Sequence, residues 1–181
     1  MIFLQFTGLS GAGKSTIASG VKTEMEKLGF RLEVIDADIY RPILCRDLGY
    51  SKEDRKENIR RLGFVGKLLA RNGVISILAA INPYDDIRLE LDDHTVPVKT
   101  VWINCSLDTL IRRDPKGLYR KAFLPDDDSN KISNLTGVND PYEIPSQPDL
   151  IINTDNEAIS LSVKLVVDFL CREINTAGKV H

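Results

Sequence analysis

The stretch GLSGAGKST, from Gly8 to Thr16, constrains this chain more than any other. It follows a short apolar run, Ile2–Thr7, and opens a helical pattern, Lys14–Leu28. Gly8, Gly13, Lys14 and Ser15 stand at the G-x-x-x-x-G-K-S/T spacing of a phosphate-binding loop, and the strand before it and helix after it supply the context that loop requires. Glycines let successive backbone N–H groups turn inward around phosphates, and the helix N-terminus adds a favourable dipole. Lys14 is expected to reach the β- and γ-phosphates of a nucleotide and Ser15 to give an oxygen to Mg²⁺, with Ser10, Gly11, Ala12 and Thr16 completing the loop.

The rest of the chain repeats the alternation. Leu32–Ile35, Val74–Ile81, Val98–Asn104 and Leu150–Asn153 are short and mostly continuous in their apolarity, as expected of strands buried on both faces. Helical patterns lie between and after them at Lys52–Asn72, Leu107–Arg113 and Glu157–Glu173, the last with Ile159, Val163, Val166, Val167 and Leu170 on one face. Gly29 and Gly73 stand where helices should stop. The expected fold is α/β: a P-loop NTPase three-layer sandwich with about five parallel strands, helices on both faces and a lid loop. One domain over residues 1–181 is expected, with the lid at about 115–148, where five of the eight prolines fall.

Composition excludes several classes. A formal net charge of −2 gives no global basic field for nucleic acid or an anionic membrane. Cys45, Cys105 and Cys171 are far apart and odd in number, which argues against a zinc site or disulfide framework and for reduced thiols in the cytoplasm. The start MIFLQFTGLSG lacks the basic flank of a signal peptide, and no apolar run approaches membrane-spanning length. His94 and His181 are expected to be inert.

A phosphate loop does not say where the phosphate goes. No NKxD is present, which argues against a guanine-specific switch protein, and Val74–Ile81 runs into Asn82 without the acid of a Walker B strand. The carboxylate that manages magnesium or the nucleophile must lie elsewhere. Asp36 and Asp38 follow the second strand, at the carboxyl edge of the sheet where ligands bind. One of them is expected to cap a helix that begins near Ile39, and at least one to act on an acceptor hydroxyl or metal.

Further along, DLGYSKEDRKENIRR (Asp47 to Arg61), RDPKGLYRKA (Arg113 to Ala122) and LTGVNDPYEIP (Leu135 to Pro145) are distinctive. With the phosphate loop and Asp36–Arg41 they closely resemble the adenylylsulfate kinase (APS kinase) family, from about Phe3 to Leu150. The resemblance implies transfer of the γ-phosphoryl group of ATP to the 3′-hydroxyl of adenosine 5′-phosphosulfate (APS), giving PAPS for sulfate assimilation, with Mg²⁺ and commonly in a homodimer. It further implies that Asp38 orients or deprotonates the hydroxyl, with Asp36 and Ser15 at the metal, Arg113 at ATP, and Lys14 and the lid residue Lys116 on the reacting phosphates. The acceptor site it implies comprises Asp38, Arg41, Tyr50, Arg55, Asn58, Ile81, Asn82, Lys116, Leu135 and Thr136, with Arg55 near the phosphosulfate. Arg60, Arg61 and Lys121 read as helix-surface residues or loose contacts, and Tyr119 and Tyr142 as packing for the lid.

Departures from the family pattern fall mostly at the acceptor. Ala37 stands in an Asp-Gly-Asp, and the Ile-Ser-Pro-Tyr-Arg segment is Ile81, Asn82, Pro83, Tyr84 and Asp85 here, though Arg88 still matches its second arginine. No phosphoserine can form at Asn82. The two phenylalanines that sandwich the acceptor base become Tyr50 and Leu135, which weakens a stacking interaction of roughly 0.5–1.5 kcal/mol. These differences leave two alternatives: a same-fold kinase for another nucleotide diphosphate analogue, such as a cytidine diphosphoramidate, or a non-catalytic nucleotide sensor.

Overall fold

The computed structural model describes residues 1–177; His181 lies outside them. Five parallel strands form one sheet: β1 (Phe3–Thr7), β2 (Leu32–Asp36), β3 (Ile75–Ala79), β4 (Val98–Asn104) and β5 (Leu150–Asn153), in the order β2-β3-β1-β4-β5. Side-chain alternation along β1 divides the core in two. Leu4 and Phe6 enter a cluster with Ile17, Val21 and Met25 of α1 (Lys14–Lys27) and Val166 and Leu170 of α7 (Ile159–Ala177). Phe3 enters the opposite cluster with Ile59, Leu62 and Ala70 of α3 (Lys52–Arg71) and Ile87 of α4 (Asp85–Glu90). The layers are therefore helix, sheet, helix, as the alternation predicts.

Glycines set how closely the layers approach. A Cβ on Gly66 of α3 would stand 2.5 Å from the Phe3 ring, and one on Gly20 of α1 would stand 2.6 Å from Val163 of α7. The α3 N-terminus is fixed by a capping box, in which Ser51 accepts from the Asp54 backbone N–H and the Asp54 carboxylate accepts from that of Ser51.

Several boundaries differ from expectation. The third strand ends at Ala79, because the next carbonyls leave the ladder: Ile81 O accepts from Gly8 N (3.2 Å) and Thr7 Oγ1 (2.8 Å). The last helix starts at Ile159 and runs to Ala177. Residues 115–148 are not wholly irregular, since they hold α6 (Leu118–Ala122), whose Tyr119 is buried and donates to Ser10 O at 2.8 Å. The apolar stretch before α6 folds as α5 (Leu107–Arg113), as expected.

Candidate active site

The strand order puts the phosphate loop, the end of β2 and the β3–α4 turn side by side at the carboxyl edge. A cavity of about 740 Å³ opens there, lined among others by Gly13, Lys14, Ser15, Asp36, Asp38, Arg55, Asn58, Asn82 and Lys116. Its size is that of a small-molecule site.

On one wall, Asp36 is the N-cap of α2 (Ala37–Leu44) and accepts from Asp38 N at 2.9 Å. That satisfies the capping role and leaves Asp36 Oδ2 and the whole Asp38 carboxylate free of the helix. The helix begins at Ala37, two residues earlier than expected, and Ala37 is absent from the positive-φ residues. An alanine therefore costs nothing at the position of the family's glycine. From the lid, Lys116 pairs with Asp38 across the cavity mouth.

On the facing wall, the Lys14 ammonium donates to Gly8 O and Leu9 O, both at 2.8 Å. Burial pushes its pKa down to about 8, with Lys116 pushing the same way and Asp38 and Asp36 opposing. Gly8 cannot be replaced, because its φ is 153° and a Cβ there would stand 2.3 Å from Ile103 O. Ser15 Oγ and Asp36 Oδ2 are oxygen donors on this one cavity, the chemistry a hard cation such as Mg²⁺ requires, with the remaining positions left to water and phosphate.

The third wall is built by Arg55, whose side chain is 11% exposed. Its donors reach Tyr50 O (3.0 Å), Thr136 Oγ1 (3.1 Å), Asn134 O (2.7 Å) and Asp140 Oδ2 (2.7 Å). One NH1 hydrogen remains for a ligand. Tyr50 lies between cations, with Arg41 at 4.5 Å and Arg55 at 5.6 Å from its ring centre, and Arg41 also donates to Gly49 O. Leu135 is buried in the larger core cluster and shows the cavity only an apolar edge.

The floor is Ile81 and Asn82. Gln5 Nε2 donates to Arg88 O, which can only accept, so the other Gln5 atom, Oε1, must face Asn82 Nδ2 at 3.0 Å. This fixes the Asn82 amide and leaves its Oδ1 buried without a partner; Asn58 Oδ1 is in the same condition. Both residues line the cavity, so a ligand that donates hydrogen bonds is what the two amides lack.

Most of the expected site residues therefore share one cavity. Arg113 does not: it donates to Thr154 O (2.7 Å) and Asp155 O (2.8 Å), and Thr154 Oγ1 in turn donates to Ala12 O at 3.0 Å. Arg113 thus braces the outer side of the phosphate loop. Gly8 and Ala12 shape that loop from behind the cavity wall. Arg60 pairs with Glu90, Arg61 with Asp47 and Glu57, and Tyr142 Oη bonds Thr7 Oγ1 at 2.9 Å, so these residues serve structure, as Tyr119 does. Sequence reading missed Gln5, which belongs to no local motif, and Asp140, which lies within LTGVNDPYEIP but whose partner Arg55 is 85 residues away. His94 is exposed and faces only Asp92.

A phosphate-binding loop on one wall, a carboxylate on another and a lid cation meeting that carboxylate are the working parts of a phosphoryl-transferring P-loop kinase. The family model of adenylylsulphate kinase matches residues 1–153. The adenylyl-sulfate kinase of Picosynechococcus sp. is 44% identical over 162 residues, covering 90% of this chain and 89% of the relative. A probable adenylyl-sulfate kinase of Synechocystis sp. is 46% identical over 162 residues, covering 90% and 89%. The solved structure of the Mycobacterium tuberculosis APS kinase CysC in complex with AMPPNP and APS superposes with a TM-score of 0.86 at 37% identity, covering 93% of this chain and 96% of that one. The chain belongs to the adenylylsulphate kinase family.

Proposed function

We propose that the chain transfers the γ-phosphoryl group of ATP to the 3′-hydroxyl of APS, releasing ADP and PAPS. The observation that carries this reading is the Lys116–Asp38 pair, which brings the lid cation to the carboxylate on the cavity that the phosphate loop also lines. Asp38 orients the 3′-hydroxyl and takes its proton as the oxygen attacks the γ-phosphorus. Lys14 and Lys116 neutralise charge on the transferring group, and the lid excludes water that would otherwise be the acceptor. Ser15 and Asp36 would hold Mg²⁺, which would supply positive charge against the phosphates of the donor. The backbone of Ser10–Gly13 and the Thr16 hydroxyl receive the donor phosphates, and Arg113 serves the donor site indirectly, through its brace on the outer side of the phosphate loop.

Tyr50 and Leu135 flank the acceptor base, and Arg55, Asn58 and Arg41 hold its anhydride. Ile81, Asn82 and Thr136 close the pocket around it. We further read the protein as cytoplasmic, from its three free thiols, and as a homodimer, from the exposed Ile151 on its outermost strand. No helix among the described residues is long and apolar enough to cross a membrane. ADP release measured with ATP, Mg²⁺ and APS tests the reading. Turnover with a cytidine diphosphoramidate and none with APS would overturn it.

A further inference from the structure

Arg88 belongs to none of the roles above, yet its side chain is only 2% exposed. Its Nε and NH2 donate to Asp85 Oδ1 (3.2 and 3.0 Å), NH1 donates to Asn82 O (2.6 Å), and NH2 donates to Glu143 O (2.6 Å). The Tyr142 ring centre is 5.9 Å from its guanidinium carbon, and its own carbonyl holds Gln5. Asp85 also accepts from Ser146 N, while its own N–H donates to Glu143 Oε2 at 2.7 Å. One guanidinium therefore ties the cavity floor at Asn82 to the segment 140–146, and that segment carries Asp140, the partner of Arg55.

We infer that Arg88, held by Asp85, is a positioning residue for the acceptor nucleotide. It fixes Asn82 in its left-handed conformation, φ 45°, and fixes the wall that aims Arg55, without touching substrate itself. The charge inverted at Asp85 relative to the family pattern then has a purpose: it is the counter-ion of this buried arginine. A lysine cannot replace the arginine, because a single ammonium has no fork to span two carbonyls and a carboxylate. The donor side has its own anchor in the Gly8 N–H bond to Ile81 O, which Arg88 does not touch, so the effect should fall on the acceptor.

This inference rests on the APS kinase reading, so the first measurement is turnover of APS by the wild-type protein; its absence overturns both. With turnover established, Arg88→Lys is expected to raise KM for APS at least tenfold while Kd for AMPPNP stays within twofold. Asp140→Asn, measured in the wild-type and Arg88→Lys backgrounds, should add little in the second, since both act through the same wall. If Arg88→Lys does not fold, Asp85→Ala leaves the arginine in place and should raise KM for APS at least threefold, again with AMPPNP affinity kept. An unmoved KM for APS, or equal losses for donor and acceptor, would refute the positioning role and leave the APS kinase reading intact.

Discussion

Asp38→Asn separates a catalytic carboxylate from a structural one. The Asp38 side chain is 70% exposed and its partner Lys116 50% exposed. A pair that open to water contributes about 0–1 kcal/mol to stability. The Asp38 backbone N–H, which the α2 cap uses, is untouched by the substitution. The variant should therefore melt within about 4 °C of the parent. Loss of a general base costs about 10²–10⁴ in rate, equivalent to ~2.7–5.4 kcal/mol of barrier. Removing a negative charge near the phosphate loop should leave Kd for AMPPNP unchanged or slightly lower. The assay is coupled ADP release at saturating ATP, Mg²⁺ and APS, beside calorimetric binding of AMPPNP. Asp36→Asn is the control: asparagine caps as well as aspartate, so the fold is kept while the Mg²⁺ dependence shifts to higher concentration. Turnover within about threefold of wild type in the folded Asp38→Asn protein would remove Asp38 from the chemistry.

Lys116→Met should lower kcat by about 10²-fold, as removal of one transition-state donor does, with AMPPNP binding nearly kept; an unchanged kcat would take the lid lysine out of the mechanism. Lys14 is pushed down to about 8 by burial, so between pH 8 and 10.5 the unfolded chain binds more protons there than the folded one, and folding stability gains from this group as pH rises through that window. Lys14→Met without nucleotide should accordingly be more stable than wild type at pH 7, with the excess shrinking from pH 8 to 10.5; a pH-independent difference in melting temperature would contradict this. Gly66→Ala would drive a Cβ to 2.5 Å from the fully buried Phe3 ring. Overpacking of about 1–3 kcal/mol exceeds the ~1 kcal/mol helix-propensity gain, so Tm should fall, and a rise would show that Phe3 can retreat.

The sheet was readable because each strand is a continuous apolar run between breakers, and β4, β5 and α5 have the bounds the pattern predicts. The end of β3 was not readable, since Ala80 and Ile81 continue its apolar run while the fold spends the Ile81 carbonyl on Thr7 and Gly8. Helix α4, Asp85–Glu90, is too short to show a period. In the site, the phosphate loop and the Asp36–Asp38 loop are local motifs and stand out. The acceptor walls join residues far apart in the chain, Arg55 with Asp140 at a separation of 85 and Asn82 with Gln5 at 77. No spacing rule reaches across such distances, so Gln5 and Asp140 became visible only in the fold.

Three of the departures from the family pattern, Ala37, Asn82 and Asp85, are accommodated by local structure. Ala37 is tolerable because it opens a helix with ordinary φ. Asn82 sits at φ 45°, a conformation that asparagine accepts more readily than most side chains, and its amide answers Gln5. Asp85 brings a negative charge that burial alone would make costly, but hydrogen bonds from Ser146 and Arg88 outweigh burial and hold its carboxyl below the usual range. Asn82 and Asp85 thus act on how the acceptor walls are held, while Lys14, Asp38 and Lys116, the groups that meet over the phosphate loop, keep the family's identities. That arrangement alters the supports and spares the groups placed to react. It also places the freedom to retune acceptor affinity in Asn82, Asp85 and Arg88, away from the atoms that react.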